Sequence, residues 1–293
     1  MSNQNTSEAE AVSELKPLLI TIDRPLLRYH GGKYILAKWI LSHFPEHKIY
    51  VEPYGGAASV LLQKRRCYAE VYNDLDDDVV NLFCMVRDRG SELIEALEAT
   101  PFSRVEFELS YQETDDDFER ARRMVVRSFM GFGSASSSGR KTGFRANSNR
   151  SGTTPAHDWI NYPQALNGII ERLQGVVIEN RDAKDVMKAH DSEKTLHYLD
   201  PPYVLNTRYN GDKTSCYNFE MTDEEHVEMC QFIKGLKGVV VLSGYENEIY
   251  SDILSDWQKH HRKAFSDGAK ERVETLYVNR ENVKPQRQLF NGN

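Results

Sequence analysis

The stretch LHYLDPPYVLN (residues 196–206) ends an apolar, strand-like run on an acid, two prolines and a tyrosine. Proline lacks the N–H donor and has a fixed φ, so Pro201 and Pro202 stop the strand and stiffen the backbone beside Asp200. Tyr203 adds a ring face next to that carboxylate. The pattern is typical either of a turn with a solvated acid or of a hydrogen-bond acceptor held in place for chemistry.

A glycine turn follows a second strand-like stretch, IYVEPY (49–54), and opens a helix. Gly55 and Gly56 let a ligand approach the backbone, and Asp74, at the end of the next strand, can accept hydrogen bonds from ribose hydroxyls. Taken alone, this fits a nicotinamide cofactor or merely a tight turn with a solvated acid. However, G-x-G-x-x-G is absent. Glu52 would repel a pyrophosphate but suits a positive centre, such as the sulfonium and amino groups of S-adenosylmethionine.

A further glycine turn lies upstream in RYHGGK (28–33). Gly31 and Gly32 precede Lys33 and an amphipathic helix, an arrangement that can place a cation near a ligand carboxylate. The P-loop pattern G-x-x-x-x-G-K-[ST] is not present, so the stretch by itself is ambiguous.

The elements that position these residues alternate between strands and helices. This alternation predicts an α/β fold with a parallel sheet covered on both faces. We expect a helix from Thr222, because Thr222 and Glu225 have the spacing of a capping box. The predicted strands are 49–54, 69–74, 175–180, 195–200, 238–245 and two C-terminal ones within 257–280.

The alternation is interrupted between about residues 88 and 174, which look helical and enclose a segment rich in Gly, Ser, Asn and Arg. Eight basic residues and no acid occur from Arg120 to Arg150, although the whole chain carries −7. Such a segment indicates either a nucleic-acid footprint or a solvated basic face. The candidate DNA contacts are Arg127 on a predicted helix and, in the loop, Arg140, Lys141, Arg145 and Arg150, with Phe144 as a candidate wedge.

Composition narrows the class of protein. The 293 residues are 40% apolar and 28% charged, as in an ordinary globular protein, and no apolar window is long enough for a membrane span. The four cysteines form no C-x-x-C pair and predict reduced thiols. Residues 1–16 are polar and acidic, so we expect a disordered tail rather than a signal peptide. No Ser/His/Asp or metal-ligand cluster is recognisable in the sequence.

The motifs RYHGGK, VEPYGGAAS, ND and DPPY, in this order over residues 24–280, resemble those of the DNA adenine methylase (Dam) family. The resemblance implies a Rossmann-like, S-adenosylmethionine-dependent methyltransferase sheet with a helical target-recognition insertion. The catalytic domain would then comprise residues 17–88 and 175–293, and the insertion residues 89–174. It also implies a monomer without an obligate protein partner, in the cytoplasm and at the nucleoid of a bacterial or phage-infected cell.

The resemblance assigns roles residue by residue. Catalysis would fall to Asp200, Pro201, Pro202 and Tyr203, and no metal is implied. Two positions depart from the family pattern: His30 follows the aromatic residue of the first motif, and Ala58 replaces the second glycine of the cofactor loop. The implied cofactor-binding residues are Tyr29, Lys33, Glu52, Pro53, Tyr54, Gly56, Asp74 and Asp200.

The implied reaction transfers a methyl group from S-adenosylmethionine to N6 of an adenine flipped out of double-stranded DNA, by direct displacement. The carboxylate of Asp200 and the carbonyl group of Pro201 would accept hydrogen bonds from the amino group and free its lone pair. Three alternatives stay open: N4 methylation of cytosine, a catalytically silent module that binds DNA and S-adenosylmethionine, and an RNA substrate.

Overall fold

The computed structural model describes residues 22–133, 141–148, 152–207, 218–265 and 271–279. Seven strands of this part form one sheet in the order β3-β2-β1-β4-β5-β7-β6. The five strands from β3 to β5 in this order run parallel to one another, whereas β7 is antiparallel to both β5 and β6. The strands are β1 (Ile49–Glu52), β2 (Ala69–Asn73), β3 (Val176–Glu179), β4 (Thr195–Leu199), β5 (Val239–Gly244), β6 (Gln258–Phe265) and β7 (Glu271–Val278).

This sheet confirms the predicted α/β class and is consistent with the Rossmann-like methyltransferase architecture. Every predicted strand exists, with ends that lie within two residues of the prediction. The strand order reverses between β1 and β4, where Val51 pairs with His197. Ligands bind beyond the carboxyl ends of the strands at such a reversal, so this edge is where a site is expected.

Helices connect the strands and cover the sheet. Their ends follow local signals: Asp76 and Asp116 cap two of them, and Thr222 and Glu225 form the predicted capping box through bonds of 3.2 and 2.7 Å. The helices are α1 (Ala37–Leu41), α2 (Ser59–Gln63), α3 (Asp77–Asp88), α4 (Gly90–Ala99), α5 (Arg104–Leu109), α6 (Asp117–Met130), α7 (Pro155–Ile160), α8 (Tyr162–Leu173), α9 (Ala183–Ala189), α10 (Asp223–Lys234) and α11 (Glu248–Ile253).

Two apolar cores lie on opposite faces of the sheet. All residues of β4 and β5 are buried, as expected for parallel strands covered on both sides. Alternate residues of β5 contribute to different cores, with Val241 in one and Leu242 in the other. One core is completed mainly by α1–α4, α6 and α8, and the other by α9, α10 and α11. The sheet is therefore held rigidly between two packed layers.

A buried ion cluster joins the helical segment to the sheet. Arg172 of α8 donates to both carboxylate oxygens of Glu70 on β2, at 2.6 and 2.9 Å, and Lys64 Nζ lies 2.9 Å from the same carboxylate. All three side chains are at most 4% exposed. Two cations hold the pKa of Glu70 below its ordinary value although burial alone would raise it.

We predict that Glu70→Gln destabilises the fold by about 3 kcal/mol, because Lys64 and Arg172 would be left buried without a counter-charge. The free energy of unfolding in urea measures this effect. Glu92→Gln removes an exposed ion pair and should leave the urea midpoint unchanged. A Glu70 variant as stable as the Glu92 variant would contradict the importance of the cluster.

Candidate active site

A cavity of about 280 Å³ opens at the carboxyl edge of the sheet, around the reversal between β1 and β4. It is lined by the loop after β1, the acid after β2, the turn after β4 and the N-terminal residues 29–33. The sequence-predicted residues that it brings together are Tyr29, Lys33, Glu52, Pro53, Tyr54, Gly56, Asp74, Asp200 and Pro202.

Asp200 directly follows β4, and its side chain is 18% exposed. Lys33 Nζ lies 2.9 Å from Asp200 Oδ1 and donates to the carbonyl group of Gly31 at 2.7 Å. Burial raises the pKa of Asp200, while the positive charge of Lys33 opposes that shift. The carboxylate of Asp200 is thus a hydrogen-bond acceptor whose position is fixed by the rigid backbone of the two following prolines and by its contact with the ammonium group of Lys33.

Tyr203 stands beside this ion pair rather than on the cavity wall. Its ring centroid is 4.7 Å from Lys33 Nζ and 4.8 Å from the ring of Tyr245, which it meets edge to face. Its phenol donates to Glu274 of β7. Pro201 also lies outside the lining of the cavity, where its buried ring fixes the turn.

Glu52 ends β1 and is almost wholly buried, with 2% exposed. Its Oε2 accepts hydrogen bonds from Tyr50 at 2.6 Å and from the backbone N–H of Leu61 at 3.0 Å. Burial raises the pKa of Glu52 to about 8, partly opposed by the bond from Tyr50, and the nearby Asp200 carboxylate raises it further. A positive ligand in the cavity would favour the ionised form of this group.

The glycine turn between β1 and α2 is shaped by contacts that exclude larger residues. A Cβ atom on Gly55 would lie 2.1 Å from the ring of Tyr72, and Gly56 has a φ of +46°. The N–H of Gly56 donates to Asp74 Oδ2 at 2.7 Å, and Asp74 Oδ1 accepts from the N–H of Asp76 at 2.8 Å. Burial raises the pKa of Asp74 to about 6, opposed by these bonds, so this acid is mostly ionised at pH 7.

Ala58, which departs from the family pattern, has a φ of 51° and a ψ of 33° in this turn. It is the one residue other than glycine with a positive φ among those the structure describes. The left-handed conformation costs an L-residue about 1 kcal/mol, and glycine avoids that cost. The departure therefore preserves the turn but stores local strain.

The structure places two of the predicted DNA-binding arginines in the interior, which does not favour their contact with phosphates. Arg127 and Arg145 are each only 9% exposed. Arg127 donates to the carbonyl group of Ser110, and Arg145 donates to that of Phe129 at 2.9 Å. Both guanidinium groups bind backbone carbonyls, so neither faces solvent to meet a phosphate. Lys141 is exposed, whereas Arg140 and Arg150 lie outside the described residues.

Acids from the same helix and from α3 pair with the basic residues of α6. Arg120 contacts Asp78 of α3 at 2.7 Å, and Arg122 and Arg123 both contact Glu119 at 2.7 Å. The run of positive charge in the sequence is therefore in part a set of intramolecular ion pairs.

Phe144 also differs from the expectation of a wedge. Its ring centroid lies 5.2 Å from that of Phe102 and 5.7 Å from that of Phe107, packed against the core. The backbone of Phe144 forms an antiparallel β-bridge with that of Gly131. Phe144 thus anchors the segment instead of pointing away from it.

Several residues at the site were not identified from the sequence. Asp182 follows β3 and lines the cavity, so the rule that ligands bind beyond the carboxyl ends of strands could have found it. Asn218 and Phe219 also line the cavity, and no sequence motif marks them. Glu274 approaches from the antiparallel strand β7, for which that rule makes no prediction.

Two other kinds of site are absent from the described ranges. No helix there is long and apolar enough to cross a membrane. In the same residues, no cluster of three or more His, Cys, Asp or Glu side chains is arranged to hold a metal ion.

A family model described as D12 class N6 adenine-specific DNA methyltransferase matches residues 29–267. This match covers most of the chain, so the chain belongs to the D12 class of N6 adenine-specific DNA methyltransferases. The resemblance inferred from the four motifs is confirmed, and with it the activity: the enzyme methylates the N6 amino group of adenine in DNA.

Curated relatives are similar at modest identity over much of their length. A DNA adenine methylase of Escherichia coli (strain K12) is 25% identical, over 73% of this chain and 77% of the relative. A DNA adenine methylase of Salmonella typhi is 24% identical, over 78% and 82%. The type II methyltransferase M1.LlaDCHI of Lactococcus lactis subsp. cremoris is 24% identical, over 84% and 90%.

Proposed function

We propose that the methyl donor is S-adenosylmethionine and that it occupies the cavity at the carboxyl edge of the sheet. The donor supplies an electrophilic methyl group on a positively charged sulfur. The observation that carries the proposal is the chemistry of the lining: Glu52, Asp74 and Asp200 are carboxyl groups with raised pKa values around one cavity. A cationic ligand relieves the cost of ionising buried acids, whereas a pyrophosphate would increase it.

Residues from different parts of the cavity wall would contact different parts of the donor. The turn at Gly56 brings backbone close to the ligand, and Asp74 at the end of β2 is available to ribose hydroxyls through lone pairs not used by Gly56 and Asp76. Glu52 offers negative charge beneath the ligand. Tyr29 and Lys33 close the cavity from the N-terminal segment.

We propose that the target adenine leaves a DNA duplex and enters beside Asp200. The Asp200 carboxylate and the Pro201 carbonyl group accept hydrogen bonds from the two N–H groups of N6, which directs the nitrogen lone pair at the methyl carbon. The N6–methyl bond forms as the sulfur–methyl bond breaks, and Asp200 accepts the proton that N6 loses. Tyr203 provides a face for the base, with its ring held by Tyr245 and Glu274.

The segment between β2 and β3, residues 89–174, is the proposed target-recognition region. Its exposed Lys141 is a phosphate contact in this proposal, together with Arg140 and Arg150. Arg127 and Arg145 serve instead to fold the region, because their guanidinium groups bind backbone carbonyls in the interior. We propose that the enzyme acts as a monomer on double-stranded DNA.

A salt titration of DNA binding should distinguish the exposed basic residue from the buried one. We predict that Lys141→Ala weakens DNA binding and lowers the slope of log affinity against log salt concentration by about one. Arg145→Ala should lower the melting temperature and leave that slope unchanged, since a buried hydrogen bond is lost rather than a phosphate contact. A wild-type slope in the Lys141 variant would contradict its role.

We predict that Glu52 loses a proton when S-adenosylmethionine binds. At pH 7 its pKa of about 8 leaves it mostly protonated, and a bound cation should lower that pKa, so binding releases a proton. Isothermal titration calorimetry with S-adenosylmethionine, in buffers of different ionisation enthalpy, counts the protons released. Glu52→Gln should release fewer protons and bind less tightly, whereas the exposed Glu92→Gln should match the wild type. Equal proton release in all three proteins would exclude the role of Glu52.

The central experiment identifies the product. Purified enzyme is incubated with S-adenosylmethionine and unmethylated duplex DNA, and the nucleosides are analysed by mass spectrometry. We expect N6-methyldeoxyadenosine, with a rate at least about 100-fold lower for Asp200→Asn, which keeps the size but removes the charge of the acceptor. The exposed Asp252→Asn on α11 is the matched control and should react at the wild-type rate.

The other outcomes are equally informative. N4-methyldeoxycytidine would replace the proposed target base, and full activity of Asp200→Asn would remove Asp200 from the mechanism. Binding of S-adenosylmethionine without any methylated base in DNA or RNA would indicate a silent module.

A further inference from the structure

Glu274 is a buried acid that neither the sequence motifs nor the lining of the cavity includes. It lies on β7, where the next residue, Thr275, pairs with Gly244 at the carboxyl end of β5. Because β7 runs antiparallel to β5, its beginning lies at the edge where the parallel strands end. A side chain 74 residues beyond Asp200 thereby reaches the same edge, with only 3% exposed.

The contacts of Glu274 all lead to groups of the proposed active site. The phenol of Tyr203 donates to Glu274 Oε1, and Lys33 Nζ lies 3.9 Å from the same oxygen. Lys33 Nζ is also 2.9 Å from Asp200 Oδ1. One ammonium group is therefore shared by two carboxylates, and a tyrosine ring 4.7 Å away lies against it.

This sharing matters for the acceptor role of Asp200. A target amino group needs lone pairs on the Asp200 carboxylate, and an ammonium group bound to Asp200 alone would compete for them. The second carboxylate, Glu274, attracts the same ammonium group, so the attraction between Lys33 and Asp200 is weaker. The phenol of Tyr203 is also directed by a bond to Glu274, which sets the orientation of the ring beside Asp200.

We propose that Glu274 is a positioning residue for methyl transfer: it orients Tyr203 through a hydrogen bond and shares the positive charge of Lys33 with Asp200. Glu274 touches neither cavity nor base in this arrangement, and it acts through the two residues that it holds. The inference rests on the proposed function of Asp200 and Tyr203. A purely structural acid in the C-terminal strands would instead affect only the stability of the fold.

The test measures kcat and KM for S-adenosylmethionine in wild type, Glu274→Gln, Tyr203→Phe and the double variant. Glutamine keeps the volume and an acceptor for Tyr203 but loses the charge near Lys33. We expect kcat of Glu274→Gln to fall about tenfold with KM within about twofold of wild type, because substrate binding does not involve this residue. Glu246→Gln, the same exchange at an exposed ion pair with Lys259, should leave kcat unchanged.

The two single variants test the two interactions of Glu274 separately. Glu274→Gln keeps an acceptor for Tyr203 and removes the charge beside Lys33, whereas Tyr203→Phe removes the hydrogen bond and keeps that charge, so each should lower kcat and the double variant should be slower than either. A wild-type kcat in Glu274→Gln would overturn the inference. If Glu274→Gln does not fold, Tyr203→Phe deletes the same hydrogen bond from its other end, and a kcat within twofold of wild type would overturn it as well.

Failure of the inference and failure of the proposed function are separable. A wild-type enzyme that forms no N6-methyldeoxyadenosine would overturn both. An active wild type whose Asp200→Asn variant is inactive, but whose Glu274→Gln variant is unaffected, would overturn only the role of Glu274.

Discussion

The shared ammonium group of Lys33 is the interaction on which the catalytic edge depends. It joins three parts of the chain that are distant in sequence: the segment before α1, the turn after β4 and the antiparallel strand β7. Buried carboxylates repel one another, so Asp200 and Glu274 can lie close together only because a cation is placed between them. In the proposed site, the surroundings of Asp200 and the contact between β7 and the N-terminal segment thus involve the same ammonium group.

The acidic lining of the cavity also favours binding of the proposed donor over binding of its product. A cavity walled by Glu52, Asp74 and Asp200 favours a ligand that carries positive charge. Methyl transfer turns the charged sulfonium into a neutral sulfide, so the spent donor loses the attraction that held it. In this proposal the electrostatics that favour binding of the donor also favour release of its product, and the free enzyme regains the buried protons that binding removed.

The sequence was most informative where a pattern is local. Alternation of strands and helices predicted the sheet, and Asp74 and Asp200 were found because acids at strand ends gather at one edge. The spacing of Thr222 and Glu225 located the start of α10. These predictions need only neighbouring residues, and the structure agrees with them.

Charge and burial across long sequence separations could not be predicted in this way. The basic appearance of α6 gave no sign that Asp78, 42 residues earlier, binds Arg120. Arg145 looked exposed in a polar segment, yet its guanidinium group caps the carbonyl group of Phe129. Glu274 escaped notice because its position depends on how β7 pairs with β5, which no short motif encodes.

The bond between Arg172 and Glu70 has a consequence for engineering and evolution. It ties α8, the last helix of the proposed recognition region, to β2, 102 residues earlier, through two hydrogen bonds in the interior. The proposed recognition region is therefore joined to the sheet by a buried ion pair, and an exchange of this region between relatives that cuts the chain at the nearest loops would separate Arg172 from Glu70. We expect a stable chimera to keep α8 together with β2, or to replace both partners of the ion pair at once.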